Sequence, residues 1–372
     1  MKKFFVWGPI VLFAFALGLL LLAPVLHAES DWHLSESAPL PPVEPGIADG
    51  GRTHEWDTAV AALETRCPGP CLGAARGATN ADARPTPEQL TAVAPLLAGL
   101  DEVPEPSELG GLRFPTPPVD GSDTGPLRLR GLPARGWVLR AWSRVDSDRA
   151  GAVADLRRAL TTATALEHSG GDLVPVAVGV MLQDTVLRHA TLMVEQGLLG
   201  QDAQPLLDDA VAGAALGSGF PAALWAECVA FEDMFGRLGA FGANDLIQRT
   251  GPGGGPQLPD EAGPGNWPLY STARTLGAHR HRCRQSLAFA AASPDERAPL
   301  AFEPLWEGKP LQMVDNPVGR ILLEISSPSW EGLVERRDRI AVTRAELAGA
   351  VAAAPAAPDP AEPDPAEPAP GE

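Results

Sequence analysis

The sequence predicts a mostly α protein, in which an N-terminal transmembrane helix precedes an irregular multi-helix extracytoplasmic domain with long Pro/Gly-rich loops. Three observations lead to this fold class. The chain opens with an uncharged apolar run at residues 4–26. Its middle third places apolar residues at helical spacing, and no segment convincingly follows the two-residue period of a strand.

The first 28 residues have the pattern of a signal anchor. Lys2 and Lys3 precede the apolar run, which as a helix reaches about 34 Å and can cross a hydrocarbon core of about 30 Å. Positive charge on this short flank favours a cytoplasmic N-terminus. We therefore expect a single-pass protein of the inner (cytoplasmic) membrane with its body in the periplasm or outside the cell. The alternative is secretion after cleavage near Ala28, although the run exceeds the usual length of a signal-peptide core.

Composition divides the rest of the chain into three parts. Residues 29–52 are predicted to form a flexible Pro-rich spacer, and residues 53–350 a helical extracytoplasmic domain. Residues 351–372 are predicted to form a disordered acidic tail rich in Pro and Ala, in which Asp-Pro-Ala-Glu-Pro occurs twice. The formal net charge of −18 argues against binding to nucleic acid.

Capping residues and apolar spacing predict the helices of the domain. The first covers residues 53–66 with Thr53 as its N-cap, and the second begins at Pro87, where Thr86 and Gln89 form a capping box. Residues 101–135 are predicted to be an irregular connection. Further helices are expected at about residues 153–167, 173–196 (a buried central helix), 205–212, after residue 218, 272–289 and, with a break at the proline at position 328, 317–350.

Four cysteines, an even number, fit an oxidising compartment. Cys67 and Cys71 enclose Pro-Gly-Pro, a turn that could bring their sulfurs together, which leaves Cys228 and Cys283 as a pair between two predicted helices. We predict structural disulfides for all four. Free buried thiols and redox chemistry are the alternatives, and the Cys-x-x-Cys spacing typical of redox sites is absent.

The most ligand-like residues lie at 279–283. On a helix, His279 and Cys283 share a face and could chelate Zn²⁺, whereas His281 points elsewhere. The neighbouring arginines oppose a cation, and a disulfide at Cys283 would remove the thiolate. We therefore expect no metal and no cofactor here.

Two further places carry catalytic residue types. His168, Ser169 and Asp172 include those of a hydrolytic triad, but a helix stop at Ser-Gly-Gly explains them without function. Glu227 lies in an apolar helix, where a carboxylate with a raised pKa could act as an acid. No second carboxylate is indicated, so a structural Glu–Arg pair is the competing interpretation.

A resemblance can be stated on the segment 153–207, on Ala226-Glu227 and on Asn-Pro-Val-Gly-Arg-Ile-Leu-Leu at 316–323. Over residues 136–350 the chain resembles uncharacterised bacterial proteins with an N-terminal membrane anchor and an exported all-helical body. That group has no assigned activity, so the resemblance implies an architecture only.

The resulting hypothesis is a membrane-anchored extracytoplasmic helical adaptor or scaffold that acts by contact with an envelope protein. The anchor, the spacer, the motif-free helical body and the acidic tail support it. The alternatives are an envelope hydrolase that uses Glu227 and a helical domain that binds a small ligand.

Overall fold

The structure is a computed structural model, described here for residues 53–112, 114, 130–170, 173–238, 266–267, 270–297, 323 and 331–355. The predicted anchor and spacer lie outside these residues. Within them the protein is mostly α, as predicted. No single described helix is long and apolar enough to cross a bilayer; the segments Gly200–Ala215 and Phe220–Leu238, which meet at a 46° bend, satisfy that test only as a pair.

The helix predicted at residues 53–66 is present with these bounds, and Thr53 is its first residue. The capping box at the third helix is confirmed, because Thr86 Oγ1 accepts from the Gln89 amide and Gln89 Oε1 accepts from the Thr86 amide. A 3₁₀ turn, Leu100–Glu102, follows the fourth helix. The helices are α1 (Thr53–Arg66), α2 (Gly69–Asn80), α3 (Pro87–Ala92), α4 (Ala94–Gly99), α5 (Leu132–Arg144) and α6 (Arg149–Glu167).

The later helices include the two longest in the described chain. They are α7 (Leu173–Glu195), α8 (Gln204–Ala215), α9 (Phe220–Leu238), α10 (Thr272–Ala291), α11 (Pro294–Arg297) and α12 (Glu331–Ala353). A two-residue antiparallel ladder, β1 (Asn266–Trp267) with β2 (Tyr270–Ser271), precedes α10. Helix α12 continues to Ala353 and Val351 is buried, so it crosses the boundary predicted at residue 350.

Two helices occur where the sequence predicts a turn or an irregular connection. Helix α2 starts inside the Cys67–Cys71 segment, and its buried face consists of small residues such as Ala75 and Ala78. Helix α5 starts within residues 101–135 and buries Trp137 and Trp142 almost completely. Both helices are stabilised by packing against neighbouring helices. Helix propensity is a local property of the sequence and does not predict such packing.

The main core lies between helices α1 to α8 and the C-terminal half of α12. Its largest fully buried side chains include Trp56, Trp137 and Trp142. Helices α6 and α7 approach at backbone distance: a Cβ at Gly179 would lie 2.4 Å from the Glu167 amide nitrogen. A glycine is therefore required at this crossing.

A smaller cluster, which we call the α9–α10 pair, is formed by those two helices with one end each of α7 and α12. Phe220 and Leu224 of α9 pack there with Val176 of α7 and Val334 of α12. Helices α7 and α12 therefore run through both clusters and join them.

A buried ion-pair network connects α5 and α6. The Arg140 guanidinium donates to Asp155 from Nη2 at 2.7 Å and from Nε at 3.0 Å, and to Asp101 from Nη1 at 2.6 Å. Burial alone lowers the pKa of Arg140, but the hydrogen bonds to the two carboxylates outweigh it, and the pKa is raised. The hydrogen bond from Arg140 in turn lowers the pKa of Asp101.

Candidate functional site

A cleft follows the exposed side of α6, between this helix, α8 and the segment at residues 105–111. It consists of two adjoining cavities that share Pro106, Thr161 and Asp209. The polar cavity has a volume of about 320 Å³ and the apolar groove beside it about 410 Å³. Together they form a surface that is polar at one end and apolar at the other.

Two ion pairs stand at the mouth of the polar cavity. Arg157 donates to Asp209 from Nε at 2.6 Å and from Nη2 at 3.2 Å, and this hydrogen bonding raises the pKa of Arg157. Arg158 Nε donates to Glu105 at 2.8 Å. All four side chains are between 32% and 48% exposed, so water screens both pairs and each contributes little to stability.

Two side chains in the wall of the polar cavity are buried with an unpaired polar atom. Trp137 is 1% exposed and Thr162 is 0% exposed. Among the described residues, neither Trp137 Nε1 nor Thr162 Oγ1 has a hydrogen-bond partner. Both atoms are themselves buried, so neither is presented to the open space of the cavity.

The apolar groove is formed by the next turns of α6 and by the end of α8. Leu160 and Ala165 come from α6, and Gly213 and Leu216 from α8 and its end. Leu216 is 68% exposed, which is high for a leucine and makes it the most exposed large apolar residue described.

His168 lies at the far end of this groove, but its ring is used to end α6. Nδ1 lies 2.8 Å from the Thr164 carbonyl oxygen and Nε2 lies 3.1 Å from the Gly217 carbonyl oxygen. Ser169 Oγ donates to the Leu166 carbonyl oxygen at 2.8 Å. These two side chains bond to the backbone and not to each other; Asp172 lies outside the described residues.

The four cysteines form two disulfides. Cys67–Cys71 closes the junction of α1 and α2, and Cys228–Cys283 joins α9 to α10. Together with His279, the second pair places three metal-ligand atoms within 4.8 Å of one another, all buried. Both sulfurs are committed to the disulfide, so neither is a thiolate ligand in this form of the protein.

His279 packs against that disulfide as a neutral side chain. Nε2 donates to the Cys228 carbonyl oxygen at 2.7 Å, and burial lowers the pKa of the imidazole. Phe235 lies edge-on to the ring, with 5.1 Å between centroids. His281, which lies on the same helix, is not part of this cluster.

Glu227 lies on α9 and is half-buried. It lines neither part of the cleft, nor a third cavity of about 500 Å³ beside α1. That third cavity is lined by α1 residues, among them Arg66, and by Gly99, Glu102 and Pro104; Arg66 pairs with Glu102 at 2.6 Å.

Sequence reasoning missed the cleft. Arg157 and Arg158 lie in the helix predicted at about residues 153–167, where charged residues are usual, and Trp137 lies between that helix and the irregular segment 101–135, where no element is predicted. The available signal was two adjacent arginines on α6 and two adjacent aspartates on α8, at 208–209. That signal is weak, because such charges are usual on solvated helix faces.

Comparison of the chain with protein-family models, with curated proteins and with solved structures found no match. The geometry of the site is therefore the basis for a functional conclusion.

Proposed function

We propose that the chain is a membrane-anchored, extracytoplasmic helical adaptor, and that the cleft along α6 is where it contacts an envelope protein. The observation that carries the proposal is the cleft itself, where Leu216 presents an exposed apolar side chain beside a polar cavity. Exposed apolar surface rimmed by polar residues is typical of protein-binding sites.

The rest of the chain supports a tethered adaptor. Two disulfides suit an oxidising compartment outside the cytoplasm. The uncharged run at residues 4–26 supplies the anchor, and the Pro-rich spacer would hold the body off the membrane. The net charge of −18 keeps the body away from anionic lipid headgroups and leaves it available to a protein partner.

In-cell crosslinking followed by affinity purification tests this proposal. The bait is the full-length protein with a C-terminal tag, purified from membranes, in its native form and as Leu216→Glu. A control variant, Val342→Glu, changes a residue that is 57% exposed on α12 and lines none of the three cavities.

The expected result is a stoichiometric envelope partner that is captured by the native protein and by Val342→Glu but is lost with Leu216→Glu. Circular dichroism establishes that all three proteins are folded. Recovery of the native protein alone would contradict the adaptor function. Equal capture by all three proteins would place the contact somewhere other than the cleft.

The predicted topology has its own test. A reporter enzyme that is active only outside the cytoplasm, fused after residue 372, should be active, and the same reporter fused directly before the apolar run should not. Retention of the body in the membrane fraction separates the signal anchor from cleavage near Ala28.

A further inference from the structure

The α9–α10 pair brings three side chains that can bind a metal into contact. Cys228 comes from α9, and His279 and Cys283 share one face of α10 because they are four residues apart. One ligand atom from each lies within 4.8 Å of the other two, and all three side chains are buried. Among the residues that the structure describes, no other group of three His, Cys, Asp or Glu side chains meets this condition.

The ring of His279 is held as the ring of a metal ligand usually is. A carbonyl oxygen can only accept, so Nε2, which lies 2.7 Å from the Cys228 carbonyl oxygen, carries the proton. Nδ1 is then the nitrogen with a free lone pair, and it lies 3.9 Å from Cys283 Sγ. Histidines that bind metals donate their other N–H to a carboxylate or a backbone carbonyl in the same way, which fixes the tautomer.

The two sulfurs become thiolates only when the disulfide between them is reduced. The Cα atoms of Cys228 and Cys283 are 6.0 Å apart. Two sulfurs on a tetrahedral zinc ion are about 3.8 Å apart, because each Zn–S bond is about 2.3 Å long. Rotation about the Cα–Cβ bonds can open the sulfurs to that separation while α9 and α10 keep their places.

The charge of the cluster matches that of a divalent cation. Two thiolates and a neutral imidazole cancel the charge of Zn²⁺, so the occupied site can lie beside an apolar side chain such as Phe235. Arg280 of the same helix is paired with Glu232 at 2.6 Å, which balances its charge. Arg282 is half-buried and Arg284 is exposed, so water screens their charges. Thiolate and imidazole ligands together are typical of zinc.

We propose that reduction of the Cys228–Cys283 disulfide converts this cluster into a zinc site, in which the two thiolates and His279 bind one Zn²⁺. The fourth tetrahedral position is left for water. The disulfide and the metal ion are alternative cross-links between α9 and α10, so the two helices stay joined in both redox states. This inference is independent of the contact function proposed for the cleft along α6.

The conversion is a two-electron exchange with a dithiol. The dithiol transfers two electrons and two protons to the disulfide of the protein and itself becomes a disulfide. Zn²⁺ then replaces the two thiol protons, which pass to water. In the reverse direction a disulfide oxidant takes two electrons from the thiolates and two protons from water. The bond between the cysteines forms again, and Zn²⁺ is released.

The test uses the full-length protein in detergent micelles. Its disulfides are reduced with a phosphine in urea, and the chain is refolded by dilution in the absence of oxygen, with and without Zn²⁺. Titration of four thiols per chain establishes that reduction is complete. Competition with a chromophoric chelator measures the affinity and the stoichiometry of zinc binding. Co²⁺ in place of Zn²⁺ reports thiolate ligands through its sulfur-to-metal charge-transfer band.

Serine variants identify the thiolates. We expect the reduced native protein to bind one Zn²⁺ per chain, and the oxidised protein to lack this site. Cys228→Ser/Cys283→Ser should lose the zinc and the charge-transfer band. Cys67→Ser/Cys71→Ser, the matched control, removes the other disulfide and should keep both signals.

Histidine variants identify the third ligand. His279→Gln removes the imidazole but keeps a donor for the Cys228 carbonyl oxygen, and it should weaken zinc binding at least about tenfold. His281→Gln changes a residue of the same helix that is outside the cluster, and it should leave the affinity unchanged. If the double serine variant at 228 and 283 does not fold, the comparison of these two histidine variants decides the question.

Several results would overturn the inference. They are a reduced protein that binds no zinc, an oxidised protein that binds it equally well, and zinc binding that is unaltered by His279→Gln or by loss of the two thiolates. Circular dichroism checks the fold in each case. Zinc that is bound without recovery of the helical signal would show binding to an unfolded chain, and the inference would again be wrong.

Discussion

The main core and the α9–α10 pair are stabilised by different interactions. The main core buries several tryptophans and holds its charged groups in a network centred on Asp155. The α9–α10 pair buries fewer side chains and is closed by the Cys228–Cys283 disulfide. The main core also contains a disulfide, Cys67–Cys71, but that bond joins residues only four apart, whereas Cys228–Cys283 spans 55. We therefore expect the stability of the α9–α10 pair to depend more strongly on the redox state.

Removal of Asp155 should have the largest effect. Its carboxylate is 2% exposed, accepts hydrogen bonds from Arg140 and forms an ion pair with Arg144, whose Nε lies 3.3 Å away. Asp155→Ala leaves a buried arginine without this partner, which costs about 3–5 kcal/mol. Asp101→Ala removes the other, 76% exposed partner of Arg140 and should cost less than about 1 kcal/mol. Urea unfolding followed by circular dichroism measures both, and equal losses would contradict a buried network.

Loss of the long-range disulfide comes next. Cys228 and Cys283 are 55 residues apart, whereas Cys67 and Cys71 are separated by four. The chain-entropy model gives a loss of up to about 4 kcal/mol for the first pair and about 2 kcal/mol for the second. Unfolding of the two double Cys→Ser variants compares them, and the reverse order would show that loop closure does not govern the stability of the α9–α10 pair.

A decrease in pH should destabilise the main core, because His189 is buried there as a neutral side chain. Nδ1 accepts from Trp142 Nε1 at 3.0 Å and Nε2 donates to the Thr79 carbonyl oxygen at 3.0 Å, so the ring is neutral when folded. Burial lowers the pKa of His189 to about 4, from the ordinary histidine value of 6.5. Above pH 6.5, His189 is neutral in both the folded and the unfolded chain, and its contribution to the free energy of unfolding is fully present. As the pH falls towards about 4, the imidazole binds a proton in the unfolded chain but not in the folded one. The free energy of unfolding therefore decreases over this range.

The expected size of that decrease is about 3 kcal/mol, at about 1.4 kcal/mol for each pH unit between the two pKa values. Urea midpoints measured across this pH range should show it in the native protein. The variant His189→Gln keeps a donor for Thr79 and should flatten the dependence. An unchanged slope in that variant would assign the acid sensitivity to other groups, among them His279, whose pKa is also lowered by burial.

The smallest change in stability is expected from deletion of the C-terminal tail. Deletion of residues 356–372 removes only the acidic Pro/Ala-rich segment and should shift the melting temperature by less than about 2 °C. Deletion from residue 351 also removes Val351, which is 4% exposed in the main core, and should lower the melting temperature by about 2–4 °C or more. A large loss from the shorter deletion would show that the tail packs on the body.

Local signals predicted those parts of the fold that local chemistry determines. The capping box at Thr86, the apolar central helix α7 and the helical spacing around Cys228 all depend on neighbours in sequence. Helix α2 was missed because its buried face consists of small residues such as Ala75 and Ala78, and α5 because prolines and glycines precede it. Both helices owe their stability to tertiary packing.

The cleft could not be predicted for a related reason. Glu105, Trp137 and Asp209 are far apart in the sequence and meet only because α5 and α8 pack on the same helix. Each of them alone is compatible with an ordinary core or surface position. The cysteines are a simpler case, because an even number of cysteines allows few pairings and an oxidising compartment favours disulfides.

Helix α12, near the C-terminal end of the body, is needed before either cluster can fold completely. It places Val334 in the α9–α10 pair and Ile340, Leu347 and Val351 in the main core, and Thr343 Oγ1 donates to Asp184 across 159 residues of chain. Neither cluster is complete until nearly the last residue of the body has been synthesised. A shortened chain leaves both apolar surfaces open to water, so complete synthesis is a condition of folding, and truncated products should be substrates for proteolytic quality control.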